Sequence, residues 1–240
     1  MTINLWHRRL RVDYNEVGLT QRDLNAICRV GLSTKFNAAD KTGEKGIGFK
    51  SVFKVADVVF ISSGLYSFKF DRSKSKIGMV VPESAAFPQA IRPGYTSLIL
   101  HLRSENEEKE LLEEMKIMDA RYLLFLRKLR KIHIAIPDFE MTLTRQDHET
   151  NNTLRRITTL ARDDESKTYH VRKYEATEMP AEFSRKGRNS SSILLAFPHH
   201  GPEETVLETQ QVYAFLPIHD YGFKAGVRNR PFSYLCANSK

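Results

Sequence analysis

The sequence predicts an α+β protein, with strands and helices intermixed over residues 1–137 and a β-rich segment over residues 138–240. Three observations lead there. Apolar runs of strand length recur, as in Val58–Ser62, Thr96–Leu102 and Lys131–Ile136. Segments with helical spacing and capping residues fall between those runs. After Pro137 the texture changes to FEMTLTRQDH, TLRRITTLARDD and YHVRKYEA, a meander with polar turns near 148–152 and 163–167.

Composition narrows the function classes. With 240 residues, 41% hydrophobic and 28% charged, the chain has the length for a real core and the make-up of a soluble globular protein. No apolar run approaches the ~18 residues that span a bilayer. The start, MTINLWHRRLRV, reaches arginines before an apolar signal region forms. Cys28 and Cys236 supply neither a disulfide framework nor CxxC metal spacing. The expected location is therefore intracellular, cytoplasmic or nuclear, where the sequons at Asn151 and Asn189 carry no weight. A net charge of +8 is scattered along the chain without a zinc finger or RNA-recognition motif, so neither nucleic acid nor membrane is an expected partner.

Ile3–Trp6 and Leu10–Tyr14 read as short strands around the basic turn His7–Arg9. YNEVGL follows, a tight turn hinged at Gly18. Thr20 is an N-cap with Asp23 three residues on, and Leu24, Ile27 and Cys28 share a helical face that ends at Gly31. Residues 32–42 are a polar loop and a candidate lid over a ligand.

The next stretch, GEKGIGFKSVF over residues 43–53, organises the rest. Gly43, Gly46 and Gly48 let the backbone bend and approach a ligand. A helix starting after them, with Val52, Phe53, Val55 and Ala56 on one face, presents unpaired N–H groups and a positive dipole end. Lys45 and Lys50 add positive charge. Together these suit a phosphate, although an ordinary loop entering a helix reads the same. The stretch fits neither the GxxxxGK[ST] loop nor a dinucleotide fingerprint.

Strands follow at Val58–Ser62, Tyr66–Asp71, Ile77–Val81 and Thr96–Leu102. Ser104 and Glu107 form a capping box that opens an acidic helix to about Met115. A second helix, Asp119–Arg130, places Tyr122, Leu123, Leu126 and Leu129 on one face. Lys131–Ile136 is a strand stopped by Pro137. Beyond the meander, a basic loop at Ser184–Ser192 precedes strands Ile193–Phe197 and Gln211–Ile218.

The order of blocks over residues 2–137, with YNEVGL, GEKGIGFKSVF and RPGYTSLILHL in sequence, resembles the Bergerat-fold ATPases of heat-shock chaperones, gyrase, MutL and histidine kinases. Within them it is most similar to the sacsin-like and NO VEIN-like branch. The resemblance implies a two-layer α/β sandwich, a mixed sheet with helices on one face, binding ATP with Mg²⁺. It implies that backbone N–H groups of Gly46, Ile47, Gly48 and Phe49 hold the β- and γ-phosphates. Gly43 is then the lid hinge, and Lys45, with Lys50 beside it, contacts phosphate. Thr96 joins the adenine water network, and Gly18 floors the adenine pocket.

Three departures qualify what the resemblance implies. The adenine-anchoring Asp of the family falls at Tyr14, with Asn15 and Glu16 beside it, as in the NO VEIN-like branch. The family's upstream helix supplies a catalytic Glu and a Mg²⁺-binding Asn, and no Glu-x-x-x-Asn pair precedes Tyr14. The final AGVRNRPFSYLCANSK is basic and turn-rich where an apolar continuation is expected. The expected role is thus a hydrolysis-deficient nucleotide-binding module of a chaperone-like or scaffold protein. Other proteins, or further domains of a longer chain, are its expected partners. The alternative is an interaction module that keeps only the fold.

Overall fold

A computed structural model describes residues 1–28, 49–74, 82–126, 128–148, 154–178, 189–199, 207–214 and 216–226. Most of these residues lie in strands. In chain order the elements begin with β1 (Thr2–Trp6), β2 (Arg9–Tyr14), α1 (Gln21–Cys28), a 3₁₀ turn (Phe49–Lys54), β3 (Ala56–Ser63) and β4 (Tyr66–Asp71). They continue with β5 (Pro82–Ser84), β6 (Thr96–Leu102), α2 (Glu105–Lys116), α3 (Tyr122–Phe125), β7 (Lys131–Ile136) and β8 (Phe139–His148). The last strands are β9 (Arg155–Arg162), β10 (Glu165–Ala176), β11 (Ser191–Pro198), β12 (Leu207–Ala214) and β13 (Leu216–Gly226).

An 11-stranded mixed sheet runs β11-β10-β9-β8-β7-β1-β2-β6-β3-β4-β5, and β12 pairs with β13 in a separate ribbon. β1 and β7 run parallel, while β1–β2, β2–β6 and β6–β3 are antiparallel. Tight turns make the hairpins. His7 and Arg8 both take positive φ between β1 and β2, as does Asp138 between β7 and β8. By contacts the chain forms two compact units, Met1–Asp119 with Lys131–Leu143, and Ala120–Arg130 with Thr144–Lys240. The first unit buries Leu5, Val59, Ile61, Phe70, Ile99 and Ile134, and the second buries Leu123, Leu160 and Val171.

This architecture overturns the expected two-layer sandwich with helices on one face. The fold is mostly sheet, for three physical reasons. The open edge of β7 is taken by β8 across the Pro137-Asp138 turn, so the β-rich segment extends the sheet and satisfies its backbone groups. The helix expected after the glycines is a six-residue 3₁₀ turn. Arg72 and Arg103 both donate to the Phe53 carbonyl there, removing an acceptor that a longer helix would use. The expected helix Asp119–Arg130 forms only over Tyr122–Phe125, because the Arg145 guanidinium takes the carbonyls of Leu123, Leu124 and Leu126. Leu126 then turns to extended backbone.

Smaller expectations divide. Thr20 caps α1 with Asp23 reciprocating, and Ser104 caps α2 with Glu107 bonded to its hydroxyl. The meander forms as β8, β9 and β10. The single strand expected at Gln211–Ile218 is instead divided between β12 and β13, which pair antiparallel. Pro217, lacking an N–H, sits at a register irregularity in that ribbon. Gly31, the polar loop 32–42 and the strand Ile77–Val81 lie outside the described residues.

Candidate functional site

Three strand ends meet in register. Tyr14, the last residue of β2, pairs with Thr96, the first of β6, which pairs with Ser63, the last of β3. Direct cross-strand partners share a face of the sheet. The Thr96 and Ser63 hydroxyls lie 2.7 Å apart and both are buried. Ser63 also accepts a hydrogen bond from the backbone N–H of Leu19 at 2.8 Å. That bond fixes the YNEVGL turn over the end of the sheet.

Gly18 is required at this turn. Its φ is +90°, a conformation that side chains rarely adopt, and a Cβ there would stand 3.3 Å from the Ser63 hydroxyl. The first and third blocks of the sequence are thus tied together by Ser63, a residue that sequence reasoning passed over. The signal was available. VVFISS and TSLILHL, laid antiparallel, put Ser62-Ser63 opposite Thr96-Ser97.

Tyr14 is held beside this pair with its hydroxyl pushed well above the ordinary tyrosine value, first by burial and then by the charge of Glu16. It stays neutral at physiological pH and able to donate a hydrogen bond. Asn15 and Glu16 are exposed in the turn that follows. Phe49 packs inward, its ring 5.6 Å from that of Phe70 and 6.0 Å from that of Phe53. Its half-buried side chain is thus held in an aromatic cluster with Phe53 and Phe70. Gly43, Lys45, Gly46, Ile47 and Gly48 lie outside the described residues, as does the side chain of Lys50.

A second residue was missed. Asp13 precedes Tyr14 and, by strand alternation, points to the opposite face, where it is 4% exposed. Arg11 grips both its oxygens, at 2.9 and 3.1 Å, and Ser97 donates its hydroxyl at 2.5 Å. The remaining donors of Arg11 go to Gln89 and to the Ala90 carbonyl. The carboxylate nearest the expected adenine anchor is therefore committed elsewhere. A shallow cleft between His7-Arg8 and α2, lined also by Glu105, Glu108 and Lys109, involves none of these residues.

What the Tyr14–Thr96–Ser63 end offers is hydroxyl groups, with those of Ser63 and Thr96 buried and bonded to each other and the Leu19 amide already spent on Ser63. In such a buried setting each hydrogen bond is stronger than at a surface. Among the described residues, no three histidine, cysteine or acidic side chains cluster to hold a metal, and no helix is long and apolar enough to cross a membrane.

Comparisons with known proteins bear on the same region. Residues 6–92 match the Sacsin domain family, a stretch that carries the YNEVGL turn, the glycine stretch and Ser63. The chain is also similar to Protein NO VEIN of Arabidopsis thaliana, with 29% identity over 236 residues. That alignment covers 88% of this chain and 8% of the relative, so the chain corresponds to a small part of the larger protein. Both similarities support a sacsin-like and NO VEIN-like module.

Proposed function

We propose that this chain is a nucleotide-binding module of a chaperone-like or scaffold protein, with ATP as the ligand and Mg²⁺ accompanying it. The observation that carries the reading is the clasp made by Ser63 on Thr96 and on the Gly18 turn. It joins the two blocks that the resemblance assigns to the adenine pocket. The similarity to the Sacsin domain family over residues 6–92 supports it further. Phosphate contacts then fall to Gly43, Lys45, Gly46, Ile47, Gly48, Phe49 and Lys50. Binding is the claim, and hydrolysis is no part of it.

One observation favours the other reading, a protein-interaction module that has given up nucleotide. Tyr14 occupies the place of the expected aspartate, and Asp13 is locked on the opposite face by Arg11 and Ser97. Calorimetric titration of Mg²⁺-ATP separates the two. Binding at millimolar or lower nucleotide is expected, abolished by Gly46→Val with Gly48→Val. Thr96→Val should weaken it by about tenfold, the worth of a well-made hydrogen bond. No heat of binding at millimolar ATP, from protein shown to be folded, would overturn the nucleotide reading.

A further inference from the structure

Two histidines of the second unit meet where β11 ends against β10. His170 lies in β10 directly opposite Phe197 of β11. His199 follows β11, two residues beyond Phe197, so it stands diagonally across from His170 on the same face. Its backbone N–H donates to the Thr168 carbonyl at 2.7 Å, which carries the ladder one step past β11. Both rings therefore hang from backbone that is held in place. Nε2 of His170 and Nδ1 of His199 stand 2.8 Å apart, with ring centroids 4.8 Å apart and planes at 71°. His170 is half-buried and His199 is exposed, so solvent reaches the pair.

The spacing has a meaning beyond a hydrogen bond. Two nitrogens each about 2.0 Å from one metal ion stand about 2.8 Å apart at a right angle. At the tetrahedral angle they stand about 3.3 Å apart. The observed separation is the first of these. As a hydrogen bond, the contact needs one proton between the two nitrogens. For a metal to take that place, the donating ring shifts its proton to its far nitrogen, and both near lone pairs turn to the ion. Burial, His199 and Arg172 all hold His170 toward the neutral form, which is the form that ligates. The same charge of Arg172 works against any cation, so the attraction has to come from nitrogen coordination.

We propose that His170 and His199 form a two-nitrogen chelate for a divalent transition metal, Cu²⁺ or Ni²⁺, with water completing its coordination. Imidazole suits these metals, and the right angle suits their square-planar or tetragonal geometry. Zn²⁺ fits less well, because a tetrahedral ion requires the nitrogens to part. Mg²⁺ and Ca²⁺ take oxygen ligands, so this site differs in chemistry from the proposed nucleotide site. A metal bound here ties the chain just past β11 to β10.

The test is calorimetric titration of Ni²⁺ into the untagged whole chain at about pH 7.5, where imidazole is mostly neutral. His170→Gln and His199→Gln should each weaken binding at least tenfold, since a single imidazole lacks the second contact of the chelate. His148 is the control, because its Nε2 is engaged with the Thr159 hydroxyl at 2.9 Å. His148→Gln should leave binding unchanged, as should Gly46→Val with Gly48→Val and an excess of Mg²⁺. A second measurement needs no variant: substoichiometric Cu²⁺, a paramagnetic ion, should broaden the His170 and His199 ring signals in NMR before those of His101 and His133. No heat of binding, affinity unchanged in both histidine variants, a loss that His148→Gln reproduces, or equal broadening of all four rings would overturn the proposal.

Discussion

Asp13 in β2 and Asp147 in β8 are held by matching devices with different charge balances. Each takes a bidentate fork from the arginine two residues earlier, Arg11 or Arg145, on the same strand face. Each accepts a hydroxyl from the next strand, Ser97 or Thr158. In both cases the spare donors of the arginine reach carbonyls of a neighbouring segment, with Gln89 added for Arg11. Among the described residues the first site pairs one cation with one anion. The second continues with Arg130 and Arg156. The comparison teaches that the same Arg-x-Asp motif can serve a clamp with one arginine or gather two more arginines around its carboxylate.

The largest expected effect is on the clamp with one arginine. Arg11→Ala leaves Asp13 buried and charged with no cation, which should cost about 3–5 kcal/mol of stability in urea denaturation. Arg11→Met with Asp13→Leu removes both charges and should recover most of that loss. A cost below ~1 kcal/mol for Arg11→Ala would break the comparison, since the Arg11 fork would then contribute little to holding β2.

The clamp with three arginines should answer to salt. Asp147→Asn leaves three guanidiniums facing one another and should cost about 2–3 kcal/mol at low ionic strength. Raising the salt to 0.5 M shortens the screening length to a few ångströms and should return about 0.5–1 kcal/mol of it. Asp13→Asn isolates a single guanidinium among neutral acceptors, so its cost should change little with salt. Equal salt responses in the two variants would mean that the extra arginines do not act on Asp147.

The two sites also show how far the sequence could be read. Both capping boxes, at Thr20 and Ser104, were legible because their partners lie three residues apart. So were β3, β6 and β7, whose apolar runs are local. The closing of β8 onto β7 was not, since an edge strand's unpaired backbone leaves no mark on composition. Nor was the shortness of α3, which is decided by a guanidinium more than twenty residues downstream, at Arg145. At the candidate site, Gly18 could be named as a turn hinge from its sequence, and Thr96 only through the family resemblance. Asp13 could not, because its role comes from the register of β2 on β6, and Ser63 shows only once the two apolar runs of β3 and β6 are laid antiparallel.

The smallest expected effect concerns two histidines, one in each unit. His101 is pushed below the ordinary value of about 6.5 by burial and by Arg9. His170 is pushed down by burial, by His199 and by Arg172. Its Nε2 lies 2.8 Å from Nδ1 of His199, a contact that one shared proton satisfies and two protons break. For a group whose folded pKa is depressed, stability is full above the unfolded value. It is then lost as pH falls through the folded one. Acidification below about pH 6.5 should therefore weaken both histidine sites. His199→Gln should separate them: the His170 imidazole titration, followed by NMR, should move up toward its ordinary value while that of His101 stays in place. The acid loss of stability should shrink accordingly. A His170 that already titrates at or above the ordinary value in the unaltered chain would show that the His170–His199 contact carries a shared charge, and the second unit would then lose its acid sensitivity at that edge.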